Sequence, residues 1–215
     1  MDAAEYRDNQ PEAKSAVSEA YEWVESFLVP LLAFLLIFTF FARLATVNGI
    51  SMLPTLHNGE RLILQQAGYA PEYGDVVVVD RSITDEDAIV KRVIGKEGDV
   101  IFIDFASGEV WRNDTLLDEP YINEPTMLQY DISFPVKVPA GCVFVMGDNR
   151  NHSLDSRSSD IGMVDVRHIM GKAVFRFFPF NKFGGISGGP SSPASRRQRS
   201  RRSSGSRGTW PKPGG

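Results

Sequence analysis

The chain has 215 residues, 42% of them hydrophobic and 23% charged, which leaves room for one core-forming domain plus appendages and excludes a disordered protein. Its single cysteine, Cys142, excludes an internal disulfide and a Cys-rich metal site, and three histidines without close spacing argue against zinc. The net charge of −4 hides an asymmetry: residues 187–215 carry seven cations and no acid, which leaves −11 on residues 1–186.

Residues 1–25 form a polar, acidic segment containing Asp2, Glu5, Asp8, Glu12, Glu19, Glu22 and Glu25. It is followed by "FLVPLLAFLLIFTFFARLA". The stretch from Ser26 to Ala42 is uncharged, and Arg43 can snorkel to lengthen it, so a single transmembrane anchor is expected over residues 26–45. Tyr21 and Trp23 fall where an interfacial belt belongs. A cleaved signal peptide would want a positive leader, and a core helix apolar on every side would want a larger domain. Lys and Arg are nearly balanced at the two ends, Arg7 and Lys14 against Arg43 and Arg61, so the sequence leaves the orientation open.

Beyond the anchor come short β-rich runs divided by turn residues: "RLILQQ", "GDVVVVD", "AIVKRVIG", "DVIFIDF", "EVWRND", "CVFVMGD" and "GKAVFRFF". No long amphipathic helical period appears after residue 50. The pattern predicts a mostly β domain over residues 46–186, a folded-over antiparallel sheet or barrel. The basic Ser/Gly/Pro/Arg-rich tail, residues 187–215, reads as disordered. It is a solvated extension or a binder of anionic surfaces, and no specific nucleic-acid partner is expected of it.

Three segments carry chemistry. In "AIVKRVIGKEGD" a strand places Lys91 on one face with Ile89 and Val93, and Arg92 on the other with Val90 and Ile94. A lysine there is either a snorkelling edge residue or a base made by desolvation, and the second reading needs a nucleophile. In "VNGISMLPTLHNGE", Ser51 stands between Gly49 and Pro54 in a forced turn, of the kind that exposes a hydroxyl and gathers N–H groups. In "VMGDNRNHSLDSR" an apolar strand opens into a polar loop, either a wired support or an ordinary turn with surface ion pairs. His57, His152 and His168 are the other candidate bases.

"GISMLPTL", "GDVVVV", "IVKRVIGKEGD" and "VMGDNRNHSLDSR", in that order, resemble the type I signal peptidases, and "IMGKAVFRFFPF" resembles that family's last strand. The resemblance covers residues 20–183 and implies a membrane-anchored serine endopeptidase that removes signal peptides from exported precursors after small residues. It implies Ser51 as nucleophile and Lys91 as general base, with neither cofactor nor metal. A drop of about three units from the lysine reference of about 10.4 would leave Lys91 neutral near pH 7. Ser153 matches a serine that orients the lysine, and Asp155 and Arg157 match a structural ion pair, with Arg92 nearby. Asp148, Asn149 and Arg150 match support behind the site. Ile89, Val90 and Leu154, with Gly49 and Met52, are expected to line a groove that receives the substrate as an extended strand. Some members carry a hydroxyl where this chain has Gly49, which leaves the second oxyanion donor open. The family also implies a catalytic domain on the extracytoplasmic face, with membrane lipid and precursor proteins as partners. The alternatives are a Ser/His arrangement through His152, a soluble self-cleaving repressor-like protease, and a membrane-tethered β module that only binds.

Overall fold

The computed structural model describes residues 16–80, 88–186 and 188–189. Most of the acidic segment and nearly all of the basic tail lie outside the described residues. The chain divides into two units at Phe41/Ala42.

The first unit contains helix α1, Ala16–Phe41, with Pro30 inside it. Trp23 stacks on Phe27 one turn later at 5.8 Å, and Val24, Phe27, Leu28 and Leu31 are exposed. Among the described residues no helix is long and apolar enough to cross a membrane. The apolar run expected to reach Ala45 as helix ends at Phe41. Residues 42–46 instead form strand β1, because their backbone pairs along its whole length with β2, from Ala42 opposite Gln65 to Thr46 opposite Arg61. A complete ladder partner outweighs the helical continuation of the apolar run.

The second unit is built of strands, and every pairing is antiparallel. The strands are β1 (Ala42–Thr46), β2 (Arg61–Gln65), β3 (Val76–Val79), β4 (Ile89–Lys96), β5 (Val100–Asp104), β6 (Glu109–Arg112), β7 (Thr115–Leu116), β8 (Val136–Lys137), β9 (Cys142–Met146), β10 (Val164–Asp165), β11 (Ile169–Phe178) and β12 (Gly184–Gly185). The larger sheet runs β1-β2-β11-β3-β4-β9-β10, with β12 on β11, and the smaller runs β7-β6-β5-β8. Among the described residues β1 and β10 end the larger path without pairing to each other, so it is an open sheet rather than a closed barrel. Bulges in β11 and β4 bend it.

β3 explains why the sheet holds together. All four of its valines are buried, which requires cover on both faces. Val76 and Val78 enter one core with Leu62, Leu64, Val90 and Ala173, and Val77 and Val79 enter a second with Val93, Val143 and Val145. A third core, containing Ile94, Ile101, Phe144 and Met146, joins strands of the two sheets.

Candidate active site

The loop between β1 and β2 covers the first core. Its neck is closed by Val47 N donating to Glu60 O and Gly59 N donating to Val47 O, both at 2.8 Å. Met52 and Leu56 are 1% and 0% exposed and seat the loop in that core. Gly49 has φ +90°, which a side chain would strain, and its N–H donates to Asn58 Oδ1 at 2.9 Å. Ser51 therefore sits on a turn whose path is set by its own neighbours, and the residue is half-buried.

Lys91 meets it from β4. Lys91 is 3% exposed, and its Nζ donates to Ser51 Oγ at 2.8 Å. Ile89 and Val93, on the lysine's own face, pack in the second core. β9 pairs with β4 only from Arg92 to Lys96, so Ile89–Lys91 lie beyond its end.

Past that end the chain becomes the polar loop 147–159, which ties back onto the serine. Asn149 N donates to Ser51 O at 3.0 Å and Asn149 Nδ2 to Ile50 O at 3.1 Å. Gly147 fits where nothing larger would: a Cβ there would press into the Ser153 side chain and lie 2.6 Å from Ser51 O. Ser153 is 3% exposed, and its Oγ makes no hydrogen bond among the described residues.

Three buried ion pairs hold this loop. Arg92 grips Asp148 through Nε at 2.7 Å and Nη2 at 2.6 Å, and its Nη1 donates to Gly74 O at 2.7 Å. Arg150 binds both oxygens of Glu119, at 2.9 and 2.6 Å, and Thr126 Oγ1 at 2.9 Å. Arg157 binds Asp155 at 2.8 and 2.9 Å and takes the carbonyls of Leu128, Arg150 and Ser153. Each guanidinium has its own carboxylate, so the network behind Lys91 adds no net charge to it. Tyr121 lies under Arg92, ring centroid 4.1 Å away, and burial followed by the Glu119 carboxylate holds its phenol above its usual range, hence neutral.

The family model described as Signal peptidase, peptidase S26, matches residues 20–178 of this chain. The chain belongs to that family. The signal peptidase I of Bacillus licheniformis is 38% identical over 175 residues, covering 75% of this chain and 90% of that protein. Signal peptidase I T of Bacillus subtilis (strain 168) is 37% identical over 180 residues, covering 79% and 91%. The crystal structure of a signal peptidase I from Enterococcus faecalis V583 aligns with 48% of this chain and 97% of its own at 27% identity, with a TM-score of 0.40. The activity that goes with the family is that of signal peptidase I, a serine-type peptidase acting on signal-peptide-bearing precursors.

Most residues singled out in the sequence converge within this signal peptidase fold: Ser51 on Lys91, Asn149 on the serine loop, Asp155 on Arg157, and Arg92 with Asp148. Two expected groove residues do not line a surface. Met52 is 1% exposed and Val90 6%, both in the first core, because Met52 anchors the loop and Val90 lies on the strand face opposite Lys91. Ile89 is half-buried and Leu154 is 39% exposed. The histidine alternative gains nothing from geometry: the side chain of His152 is 62% exposed and turned to Glu124 Oε1 at 4.0 Å, and that of His57 is turned to Glu60 at 3.5 Å.

Sequence reasoning missed Gly147, Glu119, Asn151 and Tyr130. The Asn151 side chain accepts from Met127 N and Leu128 N, both at 2.9 Å, and Tyr130 OH donates to Ser153 O at 3.1 Å. Glu119 and Tyr130 stand in a segment without strand pattern, so no local signal marked them. Gly147 and Asn151 were within the quoted motif, but their contacts are long-range.

Proposed function

We propose that the chain cleaves signal peptides by a Ser51/Lys91 dyad, from a position fixed at a membrane by the apolar run of residues 26–45. One observation carries the dyad: a lysine 3% exposed whose Nζ lies 2.8 Å from Ser51 Oγ. A site this dry favours the neutral amine, and the contact then reverses, with Oγ–H donating to Nζ. Lys91 takes that proton as Oγ attacks the scissile carbonyl, and the Ser51 N–H receives the oxyanion. Lys91 gives the proton to the leaving amine, which departs with the mature chain. A water, deprotonated by Lys91, then attacks the acyl ester and frees the signal peptide's carboxylate and Ser51.

The substrate's extended segment adds along β4 at Ile89–Lys91, where β9 has ended, with Leu154 and Ile50 (52% exposed) at the rim. Small residues at the cleavage site suit the family. The anchor reading rests on the uncharged run of the sequence from Ser26 to Ala42, which Arg43 can lengthen by snorkelling, and not on the length of α1. A lipid-facing surface on the second unit is supported by exposed Leu44, Phe178, Phe180 and Phe183 on β1, β11 and the turn after it. The extracytoplasmic placement follows the family.

The test is processing of an exported precursor in detergent micelles by wild type, Ser51→Ala, Lys91→Ala and His152→Ala across pH. The dyad requires the first two to be inactive and the third active, with wild-type activity lost as pH falls and Lys91 takes up a proton. Normal cleavage by Lys91→Ala would remove the base assignment.

A further inference from the structure

We propose that Asn149 is the residue that aims the oxyanion-binding N–H of Ser51. The proposal rests on Ser51 being the nucleophile. The Ile50 carbonyl accepts two hydrogen bonds, from Leu53 N and from Asn149 Nδ2, each at 3.1 Å. Asn149 also reaches the next peptide, its own N–H donating to Ser51 O at 3.0 Å. One residue thus holds the carbonyls on both sides of Ser51.

A trans peptide is planar, with N–H and C=O pointing in opposite directions. Pulling the Ile50 carbonyl toward Asn149 therefore turns the Ser51 N–H away from it. Among the described residues no backbone carbonyl accepts a hydrogen bond from that N–H. It is left for the developing oxyanion, and its direction is set before substrate arrives, which is what such stabilisation requires.

The side-chain chemistry fits a carboxamide. Asn149 is 3% exposed, and its Oδ1 accepts from Asn123 Nδ2 at 3.4 Å while its Nδ2 donates to Ile50 O, so the two ends of the amide are distinguished. An aspartate of the same shape would set a carboxylate oxygen against the Ile50 carbonyl. The demand on this donor is raised by Gly49, which has no hydroxyl to offer as a second one and whose φ of +90° disfavours a side chain.

The experiment compares wild type, Asn149→Asp, Asn149→Ala and Asn123→Ala, with Ser51→Ala and Lys91→Ala alongside. Each is assayed for kcat and KM on a precursor in micelles, for its pH profile, and for affinity toward a peptide aldehyde ending in alanine. The aldehyde's adduct with Ser51 places an oxygen at the oxyanion position, as the transition state does. Loss of the aim should lower kcat by roughly 10–100-fold, below the full loss of an oxyanion donor. KM should stay within about twofold, aldehyde affinity should fall by the same factor as kcat/KM, and in the uncharged Asn149→Ala and Asn123→Ala variants the pH limb set by Lys91 should not move. Asn123→Ala, at an exposed position, should show the same signature more weakly and decides the matter if the Asn149 variants do not fold.

Activity within threefold of wild type in Asn149→Asp overturns the proposal, as does a loss with aldehyde affinity unchanged. If the Asn149 variants do not fold, an Asn123→Ala protein indistinguishable from wild type overturns it equally. Cleavage by Ser51→Ala or Lys91→Ala would instead sink the dyad on which it rests.

Discussion

Gly147→Ala should abolish most activity while leaving a folded protein. On the backbone alone the change would be mildly stabilising, since Gly147 is not among the glycines with positive φ and alanine loses less chain entropy on folding. The contact reverses that. The added carbon would stand 2.5 Å from Ser153 Cβ and 2.6 Å from Ser51 O, against about 3.4 Å for ordinary contact. Relief needs a displacement of about 0.8 Å, and the groups available to move are the serine backbone and Ser153. Overpacking of this kind costs about 1–3 kcal/mol of stability. A misplacement near 1 Å at the reacting centre costs about 100-fold in rate, or about 2.7 kcal/mol in the barrier. The assay is kcat/KM on a micellar precursor beside a thermal melt, where a loss of about 1–3 kcal/mol lowers Tm by roughly 2–12 °C. A Gly147→Ala protein that cleaves within threefold of wild type would refute the reasoning, because it would show that the loop yields without disturbing the serine.

Ser153→Ala reads on stability: its Oγ makes no hydrogen bond among the described residues, so melting should be unchanged or slightly raised, and a melting point lowered by several degrees would contradict this. Asp148→Leu should destabilise by about 3–5 kcal/mol by leaving Arg92, 1% exposed, without its charge partner; the double variant Arg92→Met/Asp148→Leu should cost less than Arg92→Met or Asp148→Leu alone, read from a denaturant double-mutant cycle. Burial pushes the Glu60 carboxyl up, but hydrogen bonds from Arg176 and at His57, with Lys182 beyond, bring it below the usual carboxylate range. A depressed carboxylate stabilises above its unfolded pKa of about 4.3 and loses that contribution as pH falls through the folded value, so the melting difference between wild type and Glu60→Gln should be present at pH 7 and shrink toward pH 3. A difference that does not change with pH would assign the effect to packing.

The strands of the second unit were legible where a run was long enough to alternate. "GDVVVVD" and "AIVKRVIG" became β3 and β4 within two residues, and the face shared by Ile89, Lys91 and Val93 followed from the period of two. The two-residue strands β7, β8, β10 and β12 carry too few residues for any period, and they exist because a neighbour offers hydrogen bonds. β1 was read as the end of the anchor, since Leu44 and Ala45 continue the apolar run and hydropathy alone cannot see β2 waiting opposite.

Sequence by itself determined which residue types stand where the chemistry needs them: a serine in a Gly/Pro turn, a lysine between β-branched neighbours, and a polar loop after an apolar strand. Those are local properties, written in spacing and side-chain character. Tertiary structure decided the partners. Arg92 meets Asp148 across 56 residues and Arg150 meets Glu119 across 31, and nothing near either arginine announces which carboxylate will neutralise it. It also decided that Met52, next to the nucleophile, turns into the core, and that Gly147 must be bare because Ser51 and Ser153 close on it from distant segments. Charge pairing and steric fit depend on where the chain returns to, and that is settled only when the whole sheet has folded.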